Sequence, residues 1–343
     1  MVTDGRTGRG PSRRKAVRIT AVAGVGVALS GAILKELIER ASLHRVRVSR
    51  TQLGTRVTVT VLHPSAEEGR ALVAGTFAEI ERLEGILSRY RAATPVARLN
   101  REGVVRDAPA EMVHVVARAL DYARRSDGAF DPTVAPVLNL YLARFAEGAS
   151  PPTAVELVAA HQLVDWRELH VDGTTIGLAR PGMAVTLDGI AKGYVVDRAV
   201  AALRERGAER VLVQASGDMA AAGSEHDPWA VAIQDPHVPE GVLGVVALSR
   251  SIASSGDYMQ SFTPDRRLHH IIDPRTGRSP ERTSGTTVLA PTALDADAAS
   301  TTAFVLGPEA GIAFLETLDG VEGVLVSKEG ERLATKGFGR ELA

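Results

Sequence analysis

A carboxylate and a hydroxyl lie one helical turn apart near the C-terminus of this 343-residue chain. Asp297 and Thr301 belong to the stretch APTALDADAASTTAFVLG, and residues spaced four apart share one face of a helix. Two such oxygens can converge on a hard cation, and Mg²⁺ keeps open coordination positions for phosphate oxygens. An Asp and a Thr at this spacing are more often a solvated face or a local cap. The pair therefore indicates a metal site only together with other motifs.

A glycine-containing turn before a predicted helix is suited to bind phosphate. In LDGIAKGYVVDRA, Gly189 precedes the helix and Lys192 lies in its first turn. Free backbone amides at a helix start favour an anion, whereas a lysine there opposes the helix dipole. This favours contact with a ligand over a surface position for Lys192. We interpret Asp188 as a cap of the helix.

Two further polar stretches, GAFDPTVAPVLNLY and HHIIDPRTGRS, contain candidate site residues. Asp131 precedes Pro132 and is therefore extended, although a helix N-cap is the commoner role for such an Asp. His269 and His270 are adjacent, so on a strand at most one of them faces a site and supplies a base. The stretch SIASSGDYMQSF predicts a Gly/Ser-rich turn with spare amides. Each of these features is also compatible with a purely structural role.

The composition excludes several classes of site. The chain contains no cysteine, which excludes disulfides, thiolate metal sites and a lipid attached through cysteine. It also contains no H-x-x-x-H zinc spacing, no GxSxG elbow and no Walker A sequence. Residues 1–50 have a net charge of +8 and residues 51–343 a net charge of −9. The acidic part lacks the basic surface of a nucleic-acid-binding protein, so we expect no nucleic-acid partner.

The N-terminus resembles a twin-arginine export signal. Arg13 and Arg14 precede an apolar run of 16 residues at 19–34, shorter than the roughly 20 residues of a stable membrane span. We therefore predict a signal or membrane anchor over residues 1–44 and an extracytoplasmic protein exported by the twin-arginine route. Cleavage of the segment and uncleaved anchoring in a membrane both remain open.

Residues 45–343 are predicted to form one mixed α and β domain. Helices and strands interleave irregularly, which favours an α+β fold over a doubly wound parallel sheet. The Asp172–Gly173 pair predicts a hairpin turn. The predicted helices are 65–88, 109–125, 153–163, 190–206 and the one containing Asp297 and Thr301, and the predicted strands are 55–62, 210–214, 229–234, 243–249, 286–290 and 322–327.

Eight motifs in sequence order over most of residues 50–310 resemble the ApbE family of FAD:protein FMN transferases. Besides the five stretches quoted above, they are TQLGTRVTV, LSRYRAATPVARLN and VLVQASGDM. The resemblance implies a flavin-binding α+β fold, FAD as donor substrate and Mg²⁺ as cofactor. It further implies transfer of FMN through a phosphoester to a threonine of a client protein, with release of AMP. Clients of this family contain a D-G-x-T-S/A-A-T-like acceptor sequence.

The resemblance also implies site residues. The side chains of Asp297 and Thr301 match metal ligands, Gly189 matches a position that offers its backbone carbonyl, and Ser300 lies nearby. His270 is the candidate general base, with an acidic residue near the metal as second choice, and Lys192 would stabilise flavin or phosphate charge. The positions that match flavin or nucleotide contacts are Leu53, Tyr90, Ala129, Phe130, Asp131, Thr186, Lys192 and His270.

The chain departs from the family pattern at three positions. Leu53 stands where the family usually has methionine, and Ser216 stands where glycine is common. Thr186 stands where the family often has aspartate, and Asp188, two residues later, could compensate for it. The nearest internal match to the acceptor sequence begins at Asp172 and lacks the small-residue-threonine ending, so we expect action on another protein. The alternatives are an FAD pyrophosphatase, with water in place of threonine, and a flavin-binding carrier without catalysis.

Overall fold

The structure is a computed structural model that describes residues 43–146, 148, 150–223 and 227–340. The predicted signal or anchor lies outside these residues except for its last two positions, and His44 already begins the first strand. Within the described ranges, no helix combines the length and the hydropathy needed to cross a bilayer. The described residues form one compact unit.

An eight-stranded sheet forms the centre of this unit, and all of its neighbouring strands are antiparallel. Its order is β1 (His44–Gln52), β2 (Thr55–His63), β6 (Arg210–Ala215), β7 (Asp218–Ala222), β10 (Ser251–Gly256), β11 (Thr283–Ala290), β12 (Glu322–Ser327) and β13 (Arg332–Ala334). A smaller sheet contains β3 (Val104–Val105), β5 (Thr175–Leu178) and β4 (Leu169–Asp172), and a separate hairpin contains β8 (Trp229–Gln234) and β9 (Val242–Leu248).

Eight α-helices lie within the described residues, and several of them pack on the large sheet. They are α1 (Ala66–Leu87), α2 (Pro95–Glu102), α3 (Ala110–Arg125), α4 (Ala135–Ala146), α5 (Ala154–His161), α6 (Ala191–Glu205), α7 (Ala293–Leu306) and α8 (Pro308–Leu315). α1 packs on β1 and β2, α6 on β6 and β7, and α7 on β10 and β11. α6 also contacts both α1 and α7.

Alternation along the strands explains why both faces of the sheet are covered. On β6, Val211, Val213 and Ala215 belong to the main core, which includes residues of α1, α6 and α7. Leu212 instead joins a second core with residues of the β8–β9 hairpin. Successive side chains of a strand point to opposite faces of the sheet. One face is therefore covered by helices, and the other face is covered by the β8–β9 hairpin.

The α+β fold class is confirmed, and so are most of the predicted elements. The Ser65 cap, the Asp172–Gly173 hairpin and the strands at 210–214 and 322–327 all occur. The turn predicted over 251–262 is wrong for its first half, because residues 251–256 form β10, which pairs with β7 and β11. Its small side chains lie under α7, and this buried environment outweighs their weak strand preference.

Two tight turns between neighbouring strands of the large sheet contain non-glycine residues with left-handed backbone. Leu53 connects β1 to β2 with a φ of 56°, and Ser216 connects β6 to β7 with a φ of 57°. The Ser216 amide donates to the Arg56 carbonyl at 3.4 Å, so the two turns are adjacent. Left-handed backbone costs an L-residue roughly 1–2 kcal/mol, so the serine that replaces a common glycine carries a conformational penalty.

Replacement of this serine by glycine should therefore stabilise the protein. We expect Ser216→Gly to raise the free energy of unfolding by about 0.5–1 kcal/mol, because relief of the left-handed strain exceeds the entropy cost of glycine. Urea unfolding measures the change. Ala230→Gly, at an exposed position of β8 without positive φ, is the control and should lower stability. Equal losses in both variants would show that the turn is not strained.

Candidate functional site

Asp297, in the middle of α7, is held by the start of α6. Its Oδ2 accepts the Gly193 amide at 3.1 Å, and the side chain is almost fully buried. Its Oδ1 has no hydrogen-bond partner within the described part of the chain. One carboxylate oxygen is therefore fixed by the protein, and the other is free for a ligand.

Thr301 lies beside the Gly189 turn. A Cβ at Gly189 would lie 3.1 Å from Thr301 Oγ1 and 3.4 Å from Phe130 Cε2, so only glycine allows this approach without displacing the neighbours. Ser255 on β10 lies with its Oγ 3.3 Å from Thr301 Oγ1 and 2.8 Å from Ser300 Oγ. The structure thus brings together Gly189, Ser300 and Thr301, and it adds Ser255, whose stretch the sequence analysis assigned to a turn.

Lys192 is surrounded by three oxygens of the chain. Its Nζ lies 2.7 Å from the Asp188 carbonyl, 3.2 Å from Asp218 Oδ2 and 3.5 Å from Asp297 Oδ2. Burial alone would lower the pKa of Lys192, but the charges of Asp218 and Asp297 outweigh it and raise the pKa. The ammonium group therefore remains charged and pairs with two buried carboxylates.

Asp218, the first residue of β7, belongs to this candidate site, and it is not among the residues that the sequence predicts. Burial raises its pKa, and Lys192 acts in the opposite direction. Burial and then the charge of Asp218 raise the pKa of Asp297 as well. The sequence offered one signal for it, the strand–turn–strand pattern of VLVQASGDM, which places Asp218 directly after a tight turn.

The structure corrects the role expected for Asp188. The N-cap of α6 is Ile190, which makes no side-chain cap, and Asp188 Oδ2 instead accepts hydrogen bonds from Arg89 Nε and the Tyr90 hydroxyl, each at 2.9 Å. The buried Arg89 side chain offers a charge-assisted bond, which outweighs a local cap. Thr186 Oγ1 accepts the Asp188 amide at 3.2 Å. Thr186 and Tyr90 thus both contact the residue that precedes Gly189.

The stretch Ala129–Asp131 borders the same turn. Asp131 Oδ1 accepts the Thr133 amide at 2.7 Å and Oδ2 accepts the Trp166 amide at 3.0 Å, so this side chain caps a short 3₁₀ turn. Burial raises its pKa to about 6. Both of its oxygens are occupied by the chain, whereas the Phe130 ring faces Gly189. Ala129 lies in a small buried cluster behind them.

The two adjacent histidines have different environments. His269 is fully buried, and burial lowers its pKa to about 4. Burial also lowers the pKa of the partly exposed His270, which lies within electrostatic reach of Lys192 and Asp188. His270 Nδ1 lies 3.1 Å from the Gln260 carbonyl, which can only accept, so Nδ1 bears the proton. His270 Nε2 is then the nitrogen that can take up a proton.

Comparison with known proteins places the chain in a family. The ApbE family model matches residues 53–325. An FAD:protein FMN transferase of Treponema pallidum (strain Nichols) is 32% identical over 310 residues, which cover 82% of this chain and 84% of that protein. The chain belongs to the ApbE family. It is therefore a transferase, as its sequence resemblance predicted.

Solved structures of the ApbE family have the same fold. The flavin transferase ApbE from Vibrio cholerae matches with a TM-score of 0.77 at 27% identity, over 88% of this chain and all of that one. The apo form of the flavinyl transferase ApbE from Pseudomonas stutzeri matches with a TM-score of 0.76 at 29% identity, over 88% of this chain and 97% of that one. The ApbE-type fold therefore extends over most of this chain.

The donor set of this ApbE-family chain suits a hard cation. The described residues contain no group of three or more His, Cys, Asp or Glu side chains arranged to hold a metal. A cation at α7 would instead use one carboxylate of Asp297, the Thr301 hydroxyl and the Gly189 carbonyl. Mg²⁺ tolerates so few protein ligands because it retains waters and binds substrate phosphates.

The balance of charge around Lys192 leads to a stability prediction. Lys192→Met should lower the free energy of unfolding by about 3 kcal/mol, because it leaves two buried carboxylates without a counter-charge. Asp218→Asn in the same background should restore at least half of that loss. Urea unfolding in the presence of a chelator measures both.

Lys336→Met provides the matched control for this pair of variants. Lys336 is exposed, so its replacement should change stability by less than about 0.5 kcal/mol. If Lys192→Met were no more destabilising than this control, the ammonium group would not stabilise the buried carboxylates.

Proposed function

We propose that this chain transfers FMN from FAD to a threonine hydroxyl of a client protein, with Mg²⁺ as cofactor and AMP as the leaving product. Flavin transfer from FAD to a protein is the activity named for its relatives. The observation that best supports the finer proposal is the unpartnered Oδ1 of Asp297, which lies one helical turn from Thr301, whose hydroxyl is next to Gly189.

Asp297, Thr301 and Gly189 are the residues that would hold Mg²⁺. When bound, the ion would neutralise charge on the pyrophosphate and on the departing AMP. Lys192 already pairs with Asp218 and Asp297, so it contributes by fixing Asp297 and by adding positive charge near the phosphates. Tyr90 and Thr186 contact Asp188, and the Phe130 ring faces Gly189, so these three residues would contact the flavin or nucleotide of bound FAD.

The transfer step needs a base for the client hydroxyl. The threonine oxygen forms a bond to the FMN phosphorus, the bond from that phosphorus to the bridging oxygen breaks, and AMP leaves with the bonding electrons. The threonine proton passes to His270 Nε2, which is unprotonated in the neutral ring. Asp218 is the second candidate, because it is the acidic residue nearest to Lys192 besides the proposed metal ligand.

The proposal includes the partner and the location. The client contains a D-G-x-T-S/A-A-T-like sequence and is a separate protein, because the nearest internal match, which begins at Asp172, lacks the small-residue-threonine ending. The twin arginines at 13 and 14 and the apolar run at 19–34 support export by the twin-arginine route and an extracytoplasmic location. The same run would serve as a membrane anchor if it is not cleaved.

Intact-mass spectrometry tests the proposed reaction. The full chain, FAD, Mg²⁺ and a protein with the acceptor sequence should give an FMN-sized mass gain on that protein, abolished by a chelator. Asp297→Ala should abolish the gain because the carboxylate ligand is lost, whereas Asp295→Ala on the same helix should retain it. Unchanged transfer by Asp297→Ala would disprove the metal assignment. Release of AMP without a mass gain would identify a pyrophosphatase, and FAD binding without AMP a carrier.

The pH dependence tests the base. The lowered pKa of His270 keeps its ring neutral at pH 7, so the single-turnover rate should be level there and fall as the pH drops through that pKa. At saturating Mg²⁺, which would keep the proposed ligand Asp297 ionised, His270→Gln should lower the rate by about 100-fold and remove the acidic limb. His170→Gln, at an exposed position of β4, is the control and should retain the wild-type rate and the acidic limb. An acidic limb that persists in His270→Gln would assign the base to another group.

A further inference from the structure

Asp197 on α6 binds the beginning of α7 with both carboxylate oxygens. Its Oδ1 accepts the Ala293 amide at 2.8 Å, and its Oδ2 accepts the Leu294 amide at 2.9 Å. The first amides of a helix have no acceptor within that helix. The next amide, that of Asp295, donates to the Thr292 hydroxyl at 3.1 Å. The start of α7 is therefore capped from two sides, once by its own N-cap residue and once by a neighbouring helix.

One turn before Asp197, the same face of α6 touches α7 again. Gly193 and Asp197 are four residues apart and thus share a face. The Gly193 amide donates to Asp297 Oδ2, and a Cβ at Gly193 would lie 2.1 Å from the Ala293 carbonyl oxygen. The two backbones are in direct contact there. Three hydrogen bonds to a single face of α6 thus fix the position of α7 along α6 and its rotation about its own axis.

The rotation of α7 decides where the proposed metal ligands point. Asp297 and Thr301 lie one and two turns beyond the capped amides, and Thr301 is so close to the Gly189 turn that a Cβ on Gly189 would come within 3.1 Å of Thr301 Oγ1. A small rotation of α7 would move the Asp297 and Thr301 side chains together relative to this turn. Asp197 is also negatively charged at a helix N-terminus, where its hydrogen bonds are charge-assisted and the helix dipole is favourable.

We propose that Asp197 is a positioning residue for the cation site, and this rests on the metal assignment of the proposed function. It touches neither the cation nor the flavin, and it acts by holding α7 in the register that brings Asp297 and Thr301 to Gly189. Outer-shell partners of metal ligands typically contribute about 10–100-fold to metal affinity. Loss of the bidentate cap should therefore weaken cation binding, while contacts on other elements, such as that of Tyr90, remain.

Isothermal titration of the full chain with Mg²⁺ measures the effect without any turnover. Asp197→Asn should raise the Kd by about 10-fold or more, because the amide offers one acceptor oxygen and turns a donor toward the second backbone amide. Thr292→Ala removes the other cap of α7 and is the matched control. It should lower thermal stability and leave the Kd unchanged. Unfolded protein would reduce the number of sites rather than the Kd, which separates positioning from a loss of folding.

Asp197→Glu covers the case in which the asparagine variant does not fold. It retains the charge and both acceptors but displaces them by one methylene, so it should fold and still raise the Kd. A wild-type Kd in either folded variant, or an equal increase in Thr292→Ala, would overturn the positioning role. The metal assignment itself would be overturned by a different result. That result is a wild-type protein that binds no Mg²⁺, or an Asp297→Ala variant that binds Mg²⁺ as the wild type does. The two failures are therefore distinguishable.

Discussion

The direct contact between the backbones of α6 and α7 is the constraint on which the site depends. It exists because residue 193 is a glycine, since any Cβ there would overlap the Ala293 carbonyl. At this separation a backbone amide of one helix reaches the Asp297 carboxylate of the other. The preceding residue, Lys192, is placed between Asp297 and Asp218 by the same contact. The close packing of α6 on α7 and the placement of Lys192 beside Asp297 therefore both depend on Gly193.

When both carboxylates at this contact are ionised, their charges are not balanced within the protein. Asp218 and Asp297 are both buried, and Lys192 is the cation that pairs with them. Buried carboxylates in excess of their counter-charges are unfavourable, and here that excess coincides with an unpartnered oxygen on Asp297. By contrast, Asp188 is neutralised by Arg89 a short distance away. The excess negative charge supports a divalent cation at Asp297 and not at Asp188.

Local sequence patterns predicted the elements better than they predicted the site. Alternation identified the strand at 210–214, and a capping signature identified the helix after Ser65, because both signals depend on neighbouring residues. β10 was mistaken for a turn because its glycine and serines are favoured there only by burial beneath α7. Asp188 was misassigned because its partner Arg89 is 99 residues away.

The candidate site residues that the sequence does not predict also depend on partners far away in the chain. Asp197 acts on amides about 100 residues further along, and Asp218 meets Lys192 only because β7 lies beside α6. Neither has a local signature beyond an ordinary acidic residue in a helix or after a turn. The Asp297–Thr301 pair was found because its spacing is local. The resemblance to the ApbE family supplied the other positions, which spacing alone left open.

The two sides of the candidate site differ in solvent exposure in a way that suits transfer to a protein. On one side Asp297 is 3% exposed and lies on a helix fixed by several hydrogen bonds. On the other side Tyr90 is 69% exposed. An enzyme that delivers flavin to water needs no open side, whereas a protein acceptor must approach with its surrounding chain. In the proposed reaction the buried side would fix the phosphates, and the open side would leave room for an acceptor of protein size.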